Sequence, residues 1–264
     1  MSEIAVSLLL HEKEHLAPPG HPENASRLTL IDADLRKGLA DSRYQRLNTT
    51  LHGMEPIARV HWDSHVQTVR ATCESSGGYL DPDTYVTPLS FQAACAVVDA
   101  SLSGIDAIMG SGPGRVFILG RPPGHHALAH RAMGFCIFNN VAIAAQYALD
   151  HHGLSRVAIV DFDVHHGNGT QAIFYDREDV LFCSTHRSIF FPGTGYPEER
   201  GAGKGKGFTI NRPMIAGDGD REILAAHVET FIPALEKHAP ELLIISAGFD
   251  AQYLRGYSRA IRNA

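Results

Sequence analysis

The sequence predicts an α/β fold, a mostly parallel sheet covered by helices. Three observations carry that prediction. Short apolar runs alternate with stretches of helical periodicity, the pattern of parallel strands joined by crossover helices. Hydrophobic residues make up 44% of the 264 residues, enough for a large core. The polar residues with chemistry to offer follow directly on the predicted strands, where open parallel sheets bind ligands.

The elements follow in order. Residues 4–10 read as a short buried strand. Pro18 to Glu23 is a turn-rich loop, and helical spacing runs over residues 25–39. Residues 91–109 are alanine-rich and helical, stopping at Gly110. Residues 115–119 form an apolar strand that runs into Gly120-Arg121-Pro122-Pro123-Gly124. Residues 139–151 are helical and stop at Gly153. Residues 156–160 are a strand, as are residues 180–183, the latter ending at Ser184, Thr185 and His186. Residues 208–210 read as an edge strand and residues 220–238 as an amphipathic helix. A last buried strand, residues 241–246, leads to Asp250.

Residues 1–264 read as one domain, since no linker, repeat or low-complexity tract divides them. The net charge is −6, with acids and bases interspersed, which argues against direct nucleic-acid binding. No apolar run is expected to span a membrane, and the N-terminus lacks the pattern of a signal peptide. Cys73, Cys95, Cys136 and Cys183 form no CxxC pair and read as reduced thiols, so a cytoplasmic location is expected.

The run from Val160 to Gly169 is the densest in chemistry. Asp161, Asp163, His165 and His166 lie there within a few residues. Period-two alternation at a strand end would turn Asp161, Asp163 and His165 to one side. Such a cluster is costly unless a cation or catalysis offsets it. Asp163, His165 and Asp250 suit Zn²⁺ with an open position, and Asp161 suits the role of orienting a histidine. For each aspartate alone, a loop cap is the competing reading. His125 and His126 follow a Pro-Gly turn at a strand exit, where an imidazole can serve as general base and acid. Phe135, Phe190 and Phe191 lie on glycine-containing loops, and core packing and the wall of a narrow apolar channel are equally open. Asp81 and Asp83 could hold a substrate, or belong to a plain turn.

These residues have a familiar arrangement. Residues 121–126 (RPPGHH), 134–140 (GFCIFNN), 161–170 (DFDVHHGNGT), 191–195 (FPGTG) and 246–250 (SAGFD) resemble the histone deacetylase family, nearest its class II branch and bacterial relatives. That group includes acetylpolyamine amidohydrolases. The likeness runs from about His11 to Ala251. It implies an arginase/deacetylase-type fold and hydrolysis of an acetylated amine, typically N-acetyl-lysine, at one zinc. By motif, Asp163, His165 and Asp250 would hold the zinc. His126 would be general base and acid, with His125 as its electrostatic partner, Asp161 supporting His125 and Asn168 behind His126. Phe135 and Phe191 would wall the acyl-lysine tunnel, and the Gly134 carbonyl would accept the substrate amide N–H. A structural potassium would be held by Asp161, Asp163, His165, Ser184 and Thr185.

The resemblance also implies a Gly-Gly-Tyr loop well after the third zinc ligand, its tyrosine holding the oxyanion. Residues 252–264 do not match the family, and the expectation is a domain lacking its usual C-terminal strands and helices. Gly77-Gly78-Tyr79 reads as a turn, and Tyr253 and Tyr257 could reach the metal only if the tail folds back. The readings are therefore a zinc amidohydrolase acting on acetyl-lysine or an acetylated small amine, and a pseudoenzyme that binds zinc and acyl-lysine with little turnover. A binuclear manganese ureohydrolase shares the fold but fits the His125-His126 pair less well. Homo-oligomerisation is left open.

Overall fold

The computed structural model describes residues 4–9, 15, 17–41 and 43–250. Residues 251–264, with Tyr253 and Tyr257, lie outside them. The chain divides into two compact units, residues 1–147 and 148–264.

In the first unit, β1 (Ile4–Leu9) is flanked in parallel by β2 (Gln45–Arg46) and β5 (Arg115–Gly120). Ile4 stands opposite Arg115 and Leu9 opposite Gly120. Side chains alternate along a strand, so the two faces of β5 meet different helices. Phe117 and Leu119 join Val6, Leu35, Ile31 and Leu39 in a cluster beneath α1 (Thr29–Ala40). Val116 and Gly120 meet Gly104 and Val97 of α4 (Ser90–Met109). Between these elements lie α2 (Glu55–Ala58), α3 (Asp63–Glu74) and the antiparallel hairpin of β3 (Gly78–Asp81) and β4 (Thr84–Val86). α5 (Asn140–His151) follows β5 after a long loop.

In the second unit all four strands are parallel, in the order β8, β7, β6, β9. They are β6 (Val157–Asp161), β7 (Val180–Arg187), β8 (Thr209–Met214) and β9 (Leu242–Ser246). Every residue of β6 is buried, as a central parallel strand requires. α6 (Asn168–Phe174) joins β6 to β7. The helical stretch 220–238 is α7 (Asp220–Ala225), a π-helical turn (Ala226–Phe231) and α8 (Ile232–His238). Pro233 near the start of α8 has no N–H to donate, which accounts for the widened turn before it. Phe231, Ala234 and Leu235 pack on Ala158, Val160, Leu181 and Cys183, covering one face of the sheet.

The α/β reading holds: the sheets are mostly parallel and covered by helices. Several particulars differ. β7 runs on through Ser184, Thr185 and His186, so these residues lie within the strand and not beyond it. The last strand was expected to be buried, yet Leu243 and Ile245 of β9 are half exposed, because β9 is an outer strand among the described residues. α4 has the length and hydropathy of a membrane span, contrary to the expectation that no run would, and 56% of that window is buried in protein. All four cysteines are free. Burial pushes the Cys183 thiol up to about 12, which keeps it protonated and inert.

Candidate active site

β6 ends at Asp161, so alternation along a strand does not bring the next ligands together. A run of turns does. The Asp163 N–H donates to Asp161 Oδ1 (3.1 Å), and the His165 N–H donates to Asp163 Oδ1 (2.8 Å). Each carboxylate thus folds the chain that carries the next member of the cluster. Asp250 enters from the loop after β9, its Oδ1 accepting from the Val164 N–H (3.1 Å). β9 is in register with β6, Ser246 opposite Asp161, so the two strand exits deliver their loops side by side.

The result is a three-residue cluster. One ligand atom each of Asp163, His165 and Asp250 falls within 4.8 Å of the others. His165 Nδ1 is 2.9 Å from Asp163 Oδ1 and 3.0 Å from Asp250 Oδ2. Burial alone would lower the His165 pKa, but the two carboxylates beside it raise it to about 9. Phe190 stacks on the His165 ring at 5.0 Å, and Phe191 meets it edge-on at 6.1 Å. Phe190, which also packs on Val164, Met214 and Ala226, and Phe191, which is 39% exposed, thus flank the His165 ring.

The loop bearing these aromatics is anchored by two histidines that sequence reasoning did not single out for this purpose. His166 Nδ1 is 2.8 Å from Thr194 Oγ1, and His186 Nε2–H donates to the Gly195 carbonyl (2.9 Å). Gly195 sits at φ +89° with its bare Cα against both rings, so no side chain fits there. Ser184 and Thr185 are fully buried in β7, and Thr185 Oγ1 has no hydrogen-bond partner among the described residues. Asn168 begins α6.

In the first unit, His125 and His126 are buried with ring centroids 3.9 Å apart. The loop carrying them is strapped from the 134–140 segment: Asn140 Nδ2 donates to the Pro122 carbonyl (3.3 Å), and Asn139 Nδ2 to that of Ala127 (3.1 Å). His61 supports that strap. Its Nε2 accepts from the Asn139 N–H (2.9 Å) while Nδ1–H donates to the Leu128 carbonyl (3.0 Å). At the start of the loop, Arg121 forms a buried two-pronged ion pair with Glu23, and His15 Nε2 lies 3.3 Å from the same carboxylate. Composition gave no sign of this pair, because its partners are far apart in sequence. Asp81 and Asp83 belong to a turn: Asp83 Oδ1 accepts from the Gly134 N–H (3.2 Å).

The fold is that of a solved structure. The crystal structure of the HDA15 HD domain matches with a TM-score of 0.89, covering 96% of this chain and 74% of that one at 36% identity. The chain belongs to the histone deacetylase domain family, whose pattern matches residues 21–258. It is 38% identical over 240 residues to a histone deacetylase-like amidohydrolase of Pseudomonas aeruginosa, covering 89% of this chain and 62% of that protein. It is 35% identical over 275 residues to a probable deacetylase of Archaeoglobus fulgidus, covering 99% of this chain and 76% of that protein. A probable deacetylase of Methanothermobacter thermautotrophicus is 42% identical over 236 residues, with 88% of this chain and 70% of that protein covered.

Proposed function

We propose that this protein hydrolyses N-acyl amides of amines at a single zinc ion, with the acetylated lysine side chain as its substrate class. The carrying observation is the convergence of Asp163, His165 and Asp250 in a chain of the histone deacetylase family. Two carboxylates and one imidazole are a fitting donor set for zinc with a position left open. Gly248 supports the fit, because its bare Cα leaves the Asp163 carboxylate its place.

When bound, zinc would acidify a water molecule and polarise the acyl carbonyl. The chain's own residues do the rest. His126 takes the proton of the attacking water and returns it to the departing amine, so the products are acetate and a free amine. His125, packed against it, tunes its charge. The Gly134 carbonyl accepts the substrate amide N–H, and Phe135 and Phe191 line the acyl-lysine chain. A potassium ion would take Asp161, Asp163, His165, Ser184 and Thr185; the unpartnered, buried Thr185 Oγ1 favours a cation there.

The test is hydrolysis by the zinc-loaded full chain of an acetyl-lysine peptide and an acetylated diamine in parallel, reading acetate and free amine by mass spectrometry. The expected result is turnover of the peptide that falls about 10²–10⁴-fold in His126→Ala. Faster turnover of the diamine would move the substrate class to polyamines. No turnover of either, or equal turnover by the variant, would contradict the proposal.

A further inference from the structure

We propose that the turn of residues 81–84, with His21, is a positioning device that sets the substrate wall at Gly134 and Phe135 and so governs how tightly the acyl-lysine chain is gripped. The inference rests on the deacetylase reading above and names part of its specificity apparatus.

The starting observation is backbone strain. Gly134 has φ +56° and Phe135 has φ +67°. Met133 and Cys136 bond to each other across them, N–H to carbonyl at 3.2 and 3.0 Å. Gly134 and Phe135 are thus the central pair of a two-residue turn with both φ values positive, a geometry that favours Asn-Gly. A phenylalanine there is strained, and such residues persist only where their surroundings over-determine them.

The surroundings do so from one place. The Phe135 N–H donates to Thr84 Oγ1 (3.0 Å), and the Gly134 N–H donates to Asp83 Oδ1 (3.2 Å). The Thr84 hydroxyl in turn donates to Asp83 Oδ1 (3.2 Å). Asp81 Oδ1 accepts from the N–H groups of both Asp83 and Thr84 (3.0 and 2.9 Å), which fixes the turn itself. His21 closes the assembly. Its ring meets the Phe135 ring edge-on at 5.0 Å, and its Nε2–H donates to the Asp83 carbonyl (3.1 Å). Thr84 is buried, while Phe135 is half-buried and keeps part of its ring free to meet a ligand. The N–H groups of Gly134 and of the strained Phe135 are both committed to one turn, so the turn dictates where the ring stands.

The test is steady-state kinetics on the acetyl-lysine peptide with Thr84→Val, which keeps the shape and removes the acceptor, and Thr84→Ser, which keeps it. The expected result is a KM raised about tenfold in Thr84→Val, with kcat within about twofold and KM restored in Thr84→Ser. If Thr84→Val does not fold, judged by its melting curve, Asp83→Ala removes the second acceptor from a partly exposed turn and should shift KM the same way. A wild-type KM in the folded variant would overturn the inference while leaving the deacetylase reading intact. Failure of the unmodified protein to hydrolyse the peptide would overturn that reading, and the inference with it.

Discussion

The bare Cα of Gly248 lies against the carboxylate of Asp163. A Cβ at residue 248 would overlap Oδ2, Cγ and Cβ of Asp163, and the aspartate is the one that also positions the His165 N–H. Gly248→Ala should therefore displace a proposed zinc ligand without emptying the core. We expect at least about tenfold weaker zinc affinity with an unchanged circular dichroism spectrum. Full zinc occupancy at wild-type affinity would show that the close approach is dispensable.

Glu23 and Arg121 form the second tightly determined pair. Burial alone would raise the Glu23 carboxyl, but hydrogen bonds from His15 and Arg121 lower it to about 2. Its share of stability is present above its ordinary value near 4.5 and is lost as pH falls from there toward 2. Glu23→Gln leaves the Arg121 guanidinium buried with a weakened partner, at a cost of about 3–5 kcal/mol in urea unfolding. A cost under about 1 kcal/mol, typical of a surface pair, would contradict this.

His61 adds an acid sensitivity that sets in at higher pH. Burial, and behind it the neighbouring His65, lower its pKa to about 3. An unfolded histidine takes a proton near 6.5, which folded His61 refuses until about pH 3, so stability is full above 6.5 and declines as pH drops through that window. The loss due to His61 should reach about 2 kcal/mol by pH 5. His61→Gln should be less stable at pH 7.5 but lose less on going to pH 5. Parallel losses in variant and wild type would mean that His61 titrates normally.

Part of this was legible in the sequence and part was not. The alternation of apolar runs with helical periods located β1, β5 and β6 within a residue or two, because parallel strands are buried on both faces and read as continuous apolar runs. The cluster of Asp163, His165 and Asp250 was legible because its members follow strand exits. Its geometry was not: alternation placed Asp163 and His165 on a strand, whereas side-chain-to-backbone bonds from Asp161 and Asp163 bend the chain there. The sequence ends β7 at Cys183 because Ser184, Thr185 and His186 look like a loop, whereas Ser184 pairs with Asp161 of β6 and the three pair with Asn211, Arg212 and Pro213 of β8. The clamp of Thr84 on Phe135 spans 51 residues, a distance over which periodicity says nothing.

The most direct test of the account is a zinc titration of chelator-stripped full-length chain, followed by acetate release from an acetyl-lysine peptide. The account predicts no activity without metal, and activity that rises with added zinc and saturates at about one ion per chain, with Asp250→Asn abolishing the rise. Activity that survives chelation, or that saturates at two ions, would contradict it.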